Sequence, residues 1–344
     1  MKILHIIYSL TTGGTETMLV DIVNEQVKTE DVALIIINDD INNELLKNID
    51  NKVKIILLKR KPKSKSLFPF IKLNWLIWRL KPDAIHAHYI SILRVLLNNI
   101  CKNIFVTVHA LRFSLKYAER AKCIFAISEA VKDDILSRGN HNVKVIANGI
   151  CIENIEKRQK EYSKHELFRI IQVASLREKK GQDILIEAIA ILKERGINNV
   201  TVDFIGTGST EEHLKSFTEE KGVSNSINFL GLKNRAYIYS HLKDYDIMCH
   251  PAREEGFGLS VAEGITAMLP VLVSDEGGPY EIIKNGELGY AFKKGDAKDC
   301  ADKIEYMINN YKEALNKTQI AFEHVKKNYS VERMVKEYIE AFKN

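Results

Sequence analysis

Short apolar runs rich in Ile, Val and Leu recur along this chain, and most are separated by stretches long enough to form a helix. The first series comprises Lys2–Tyr8, Val32–Ile37, Val53–Leu58, Ala84–His86, Phe105–His109, Cys123–Ile127 and Val143–Ile146. A second comprises Arg169–Ala174, Val200–Ile205, Ile227–Leu230, Asp246–His250, Val271–Ser274 and Tyr290–Phe292. Strands apolar throughout leave no face for water, so they predict parallel sheets covered by helices on both sides. Between the series lie Asn148-Gly149-Ile150 and a charged stretch, Glu153–Glu166, without strand character. The pattern predicts an α/β chain of two doubly wound lobes, residues 1–150 and 168–325, joined by a linker at 151–167. Residues 326–344 read as a final helix packing back toward the first lobe, with a stripe of Val331, Met334, Val335, Tyr338, Ile339 and Phe342. Ligands of such folds bind at the carboxyl ends of the strands, so two facing lobes would create a central cleft there.

A length of 344 residues suits two lobes, and 45% hydrophobic with 28% charged residues describes a globular chain. The five cysteines are scattered with no C-x-x-C pair, which points to a reducing compartment and no structural zinc. The opening M-K-I-L-H-I-I-Y-S-L has too short an apolar core for a signal peptide, and no uninterrupted apolar run could span a bilayer. A cytoplasmic protein is expected.

Charge is concentrated. From Lys52 to Lys81 there are ten basic residues and no acid, while the whole chain carries only +5. Lys59, Arg60, Lys61, Lys63 and Lys65 precede a segment containing Trp75 and Trp78. Cations beside interfacial tryptophans suit an anionic membrane surface, here the cytoplasmic face of the inner membrane. A loop and helix packed on the first sheet would account for part of the apolar pattern but not for ten basics without an acid. No nucleic-acid recognition motif accompanies the patch.

The segment His250–Ile283 carries the most chemical information. A strand ending at His250-Pro251 leads into A-R-E-E-G-F-G-L-S-V-A-E-G-I-T-A-M-L-P-V-L-V-S-D-E-G-G-P-Y-E-I-I. Gly256 and Gly258 permit a tight turn, and a helix starting near Leu259 would offer unpaired N–H groups to a diphosphate. Glu255 precedes that helix and Glu263 lies eight positions on. The spacing alone leaves two readings open: two carboxylates reaching one extended ligand, or a capping acid and a solvated helix acid.

This stretch resembles the donor-site signature of retaining family-4 glycosyltransferases (glycosyl transferases group 1). Further matches follow in family order: G-G-T-E near Gly13, H-A-H at His86–His88, V-T-V-H at His109, I-S-E-A-V at Ser128, A-N-G-I at Ile150, K-K-G at Gly181 and F-L-G at Gly231. The resemblance implies a GT-B fold, two Rossmann-like domains facing a central cleft. It implies that Glu263 binds the nucleotide ribose and that Glu255 approaches the donor sugar, with the amides of Phe257, Gly258 and Leu259 near sugar and phosphates. By the same resemblance His109 lies beside the reacting bond; a histidine satisfied at a strand end is the alternative. His86, His88 and His250 read as structural.

Lys180, before Gly181, matches the family lysine that neutralises the leaving diphosphate, a role in which charge stabilises the transition state. The family arginine usually stands five residues earlier, where this chain has Ser175, so Arg177 is the candidate replacement. Gly13 and Gly14 could bring backbone amides to the same diphosphate or simply make a tight strand–helix turn. Neither they nor Gly206-Thr207-Gly208 completes a dinucleotide fingerprint. Asp244-Tyr245-Asp246 runs into a buried strand and reads as a chance D-x-D, so no metal or other cofactor is expected.

The resemblance implies a retaining hexosyltransferase. It would use a UDP- or GDP-sugar as donor and a glycan or polyprenyl-linked acceptor. High Lys, Ile and Asn usage together with the basic tract point to bacterial O-antigen (lipopolysaccharide) or capsule assembly as the setting. A nucleotide-sugar epimerase or phosphorylase on the same architecture, and a non-catalytic sugar-nucleotide-binding subunit, are the alternatives.

Overall fold

The computed structural model describes residues 1–159 and 166–344, which form two compact units. Unit one is Met1–Ile150 with Ser330–Asn344, and unit two is Cys151–Tyr329. Unit one contains β1 (Lys2–Ile7), α1 (Gly14–Gln26), β2 (Asp31–Asn38), α2 (Asn43–Lys47), β3 (Lys54–Arg60), α3 (Phe68–Leu80), β4 (Ala84–Ala87), β5 (Ile104–Val108), β6 (Cys123–Ala126), α4 (Glu129–Leu136) and β7 (Val143–Val145). Its strands form one parallel sheet in the order β3-β2-β1-β4-β5-β6-β7. Order reverses between β1 and β4, the switch point characteristic of a doubly wound sheet.

Unit two contains β8 (Phe168–Val173), α5 (Gln182–Glu194), β9 (Val200–Ile205), α6 (Glu211–Glu220), β10 (Ile227–Phe229), α7 (Arg235–His241), β11 (Ile247–His250), α8 (Leu259–Thr266), β12 (Val271–Ser274), α9 (Gly278–Ile282), β13 (Tyr290–Phe292), α10 (Ala297–Asn309) and α11 (Tyr311–Asn328). Its parallel order is β10-β9-β8-β11-β12-β13, with the switch between β8 and β11. The central strands bury nearly every side chain, which explains their unbroken apolar sequences.

The last helix, α12 (Val331–Lys343), belongs to unit one. Ser330 forms a parallel bridge with Ile150, Val331 N donates to Ile150 O at 3.2 Å, and Arg333 Nη2 donates to Ala147 O at 2.7 Å. A Cβ on Gly149 would lie 2.5 Å from Ser330 O, so that crossing requires glycine. Tyr338 and Phe342 then fill the core beside Phe125 and Phe105.

The stretch expected as a linker differs. Its described residues 151–159 pack within unit two; residues 160–165 lie outside the described residues. Arg158 is buried and pairs with Asp246 at 2.6 Å, while its Nε donates to Tyr245 O at 2.8 Å and its N–H to Ala267 O at 2.8 Å. A buried guanidinium demands such partners, and Asp246, 88 positions away, supplies the charge. No helix among the described residues is long and apolar enough to cross a membrane.

Candidate functional site

In unit two the chemistry gathers where β8 and β11 end. Glu255 sits on the turn between β11 and α8, its side chain 20% exposed. Its Oε2 takes an ion pair from Lys180 Nζ and a 3.2 Å hydrogen bond from His250 Nε2; Oε1 accepts from Gly256 N at 3.1 Å. Burial raises the cost of charging this carboxyl. The His250 bond and the Lys180 ammonium outweigh that cost and hold it well below the usual carboxylate range. Glu255 is therefore an ionised acceptor held in place by three donors.

Backbone geometry fixes this cluster. Lys180 ends a one-turn 3-10 helix, Glu178–Lys180, and Gly181 follows with φ 68°. A Cβ on Gly181 would stand 1.9 Å from Pro251 O, so the lysine turn can lie against the end of β11 only with glycine there. Arg253 locks the two segments together: its guanidinium grips both oxygens of Asp183, at 2.8 and 2.6 Å, and also donates to Glu178 O. Its own N–H donates to Lys179 O at 2.9 Å.

The glycine turn continues the site. Gly258, at φ 93°, precedes α8 and gives it no side-chain cap, which leaves the first N–H groups available to an anion. Phe257 is buried, its ring packed edge-on against Tyr329. Gly278 packs under the turn, where a Cβ would come 2.4 Å from Phe257 Cα. On α8, Gly264 leaves room for Met248 beneath the helix, while Glu263 accepts a 3.1 Å hydrogen bond from Tyr239 Oη. Arg235 Nε donates to that hydroxyl at 2.6 Å, so Glu263 is held by a relay from α7. Arg177 is exposed, and no described residue pairs with its side chain.

Unit one holds His109, just beyond β5. Its ring stacks on His88 at 5.8 Å, burial lowers its pKa to about 4, and its Nε2 has no hydrogen-bond partner among the described residues. The imidazole is neutral near pH 7. Behind it, His5 Nδ1 lies 3.0 Å from His88 Nε2, and His5 Nε2 lies 2.6 Å from Gln26 Oε1. His86 Nε2 contacts Thr107 Oγ1 at 2.7 Å. Nitrogens of His5, His86 and His88 fall within 4.8 Å of one another, but both of His5's are already engaged by these hydrogen bonds. Gly13 has an extended backbone open to any residue, and the Glu16 carboxylate folds back over it, 2.5 Å from where a Cβ would be. Its glycine therefore relieves crowding and does not make a left-handed turn.

The structure thus joins Lys180, Glu255 and the Gly256–Leu259 turn in one place, with Glu263 on the same helix. Two participants were not anticipated. His250 is a partner of Glu255 and not merely a core histidine, and Arg253 positions the lysine turn. Only the H-x-x-x-x-E proximity of His250 to Glu255 in sequence hinted at the first; nothing local marked Arg253. Asp246 of the D-x-D is consumed by Arg158. Gly206 and Gly208 are not a phosphate loop: their Cβ atoms would fall about 2 Å from Ala174 O and Leu176 O, so they serve strand packing.

Two parallel-sheet domains with this site define a GT-B glycosyltransferase fold. HepE of Anabaena, solved in complex with UDP and glucose, superposes over 100% of both chains with TM-score 0.85 at 22% identity. Residues 153–324, half of the chain, match the family described as Glycosyl transferases group 1, and residues 12–154 match Glycosyltransferase Family 4. The chain therefore belongs to the group 1 glycosyltransferases. EpsD of Bacillus subtilis (strain 168), a glycosyltransferase by name, is 32% identical over 158 residues, covering 46% of this chain and 41% of EpsD. The capsular polysaccharide biosynthesis glycosyltransferase CapM of Staphylococcus aureus is 28% identical over 208 residues, covering 57% of this chain and 54% of CapM. The chain thus spans about half the length of these curated relatives.

Proposed function

We propose that this glycosyltransferase moves a hexosyl unit from a UDP- or GDP-sugar to a hydroxyl of a glycan or lipid-linked glycan. The observation that carries the reading is the Lys180–Glu255–His250 cluster at the uncapped start of α8. A cation, a helix N-terminus and an ionised acceptor together suit a sugar diphosphate: positive groups for the phosphates, a carboxylate for sugar hydroxyls.

In the proposed step, the bond from the anomeric carbon to the diphosphate oxygen breaks and a bond to the acceptor oxygen forms. The acceptor proton passes to the leaving diphosphate on the same face, which retains configuration. Lys180, the α8 amides and exposed Arg177 would stabilise the diphosphate charge without a metal ion. Glu255, held by three donors with acceptor capacity remaining, fits a sugar-hydroxyl acceptor better than a nucleophile. Glu263 would hold the ribose, Gly13 and Gly14 would approach the diphosphate, and neutral His109 would offer Nε2 to the sugar. The names of CapM and of the amylovoran enzyme AmsK of Erwinia amylovora favour surface polysaccharide assembly as the setting.

The test is a screen of UDP- and GDP-sugars with EDTA present, reading donor hydrolysis and transfer. Release of UDP or GDP that Lys180→Ala abolishes would support the reading. Stable product without an acceptor and without nucleotide release would replace it with epimerisation. Absence of binding and turnover for every donor would overturn it.

A further inference from the structure

We propose that α3 is an interfacial membrane helix, whose outer face inserts into a leaflet rich in anionic lipid. Phe68, Ile71, Trp75 and Trp78 are 69%, 65%, 48% and 66% exposed. At about 100° per residue these four lie within an arc of about 80° on one side of the helix. The opposite side carries Leu73 and Ile77, both buried, and Asn74, at the edge beside Trp78, is buried too. The helix is thus already anchored on unit one by a separate apolar face, and much of the outer stripe's surface is left uncovered. Leu67, 69% exposed, extends the stripe at its start. Isolated exposed apolar residues are ordinary, but five clustered on one helix and its entry mark a contact surface.

The surroundings say what the contact is. Lys59, Lys61, Lys63, Lys65, Lys72, Arg79 and Lys81 are all exposed, and no described acid forms an ion pair with any of them. Arg60 is spent inside the loop, donating to Asn38 Oδ1 and Ser64 O and lying over the Phe70 ring. It holds the lysine loop beside the helix. Lys72 and Arg79 flank the stripe itself, and the Arg79 guanidinium sits 5.3 Å from the Trp75 ring. An apolar stripe bordered by Lys72 and Arg79 and followed by Lys81 matches a bilayer interface: hydrocarbon for the rings, headgroup phosphates for the cations. A second copy of the chain is a poor occupant, because a two-fold contact would press the two cationic rims together. At 13 residues α3 is too short to span, so it lies in the plane of the surface. This inference does not depend on the donor reading; it concerns a different face of unit one.

Trp75 and Trp78 are the only tryptophans in the chain, so intrinsic fluorescence reports this face alone. The full chain is mixed at low salt with phosphatidylcholine vesicles, with and without phosphatidylglycerol. Anionic vesicles should shift emission to the blue, bring the tryptophans within reach of brominated acyl chains and sediment the protein. Neutral vesicles and high salt should do so weakly. Replacing Lys61, Lys63 and Lys65 by Glu keeps both tryptophans, should leave donor hydrolysis unchanged and should lower vesicle affinity by about 100-fold, at about fivefold per cation. Unchanged emission with anionic vesicles would overturn the proposal. So would a blue shift that grows with protein concentration in the absence of lipid, since that outcome assigns the face to self-association.

Discussion

Lys180 and Glu255, 75 residues apart in sequence, form an ion pair at the start of α8. Each neutralises the other's charge, and a bound diphosphate would have to share the ammonium with the carboxylate. Lys180→Met and Glu255→Gln should each lower kcat/KM by about 100- to 1,000-fold, the loss typical of one electrostatic contact to a transition state. Because the pair acts as a unit, the double variant should fall well short of the product of the two losses. Full additivity in steady-state kinetics would show that the two act separately. The Glu255 carboxyl is held low, so its stabilising effect is present above about pH 4.5 and is lost as pH falls below that value. It should not contribute a limb to the pH–rate profile near neutrality.

The histidines of unit one also lose stability on acidification, but because burial favours their neutral form. Burial lowers His5 and His109 to about 4, and lowers His86 and His88 as well, with neighbouring histidines adding to the effect in the last two. The unfolded chain binds these protons near pH 6.5, so folding stability should decline as pH drops from about 6.5 to 4. Shifts of this size correspond to about 3 kcal/mol for each of His5 and His109 at the acid end. Urea unfolding across that range should show the decline, and His86→Phe, set among Phe125, Tyr338 and Phe342, should flatten it.

Gly181→Ala should damage the site more than the fold. The left-handed backbone and the 1.9 Å approach to Pro251 O force the Lys180 turn away from the end of β11. Strain of this kind costs about 1–3 kcal/mol. Activity should fall by a larger factor than that stability loss implies, because Lys180 and His250 both move relative to Glu255. Chemical denaturation and donor hydrolysis on the same sample check the comparison.

Tyr239→Phe removes the hydroxyl that links Arg235 to Glu263. If Glu263 holds the ribose, KM for the donor should rise by about 3- to 10-fold, the worth of one such hydrogen bond, with kcat little changed. A fall in kcat at constant KM would place Glu263 at the reacting centre.

Asp246→Ala should cost about 3–5 kcal/mol in unfolding free energy, because it strands the buried Arg158 guanidinium. Asp246 and Arg158 together replaced by Leu and Met should recover most of that loss.

Strands were easy to see in the sequence because each central one is apolar on both faces. Lys2–Tyr8 and Val271–Ser274 needed no partner to be recognised. Gly256-Phe257-Gly258 before an apolar helix likewise announced the turn that leads into α8. The burial of Arg158 was not legible because an arginine in a charged stretch reads as solvated. Only a chain that brings Asp246 alongside makes a buried arginine affordable. His250 was set aside for a related reason: it is apolar-flanked and its partner Glu255 is reached through a turn whose path no local rule fixes. Trp75 and Trp78 resembled half of a packed stripe, and nothing in their spacing shows which half faces the sheet.

The sequence by itself determined two parallel-sheet lobes and the glycine turn joining Glu255 to Glu263, since periodicity and backbone permissiveness are local properties. It also fixed the concentration of positive charge between Lys52 and Lys81. Tertiary structure alone decided that Lys180 and His250 converge on Glu255, that Arg253 locks the lysine turn through Asp183, and that α3 turns its tryptophans outward. These contacts join residues dozens of positions apart, or choose between two faces of one helix. Their energies depend on burial and geometry that exist only once the sheets have formed.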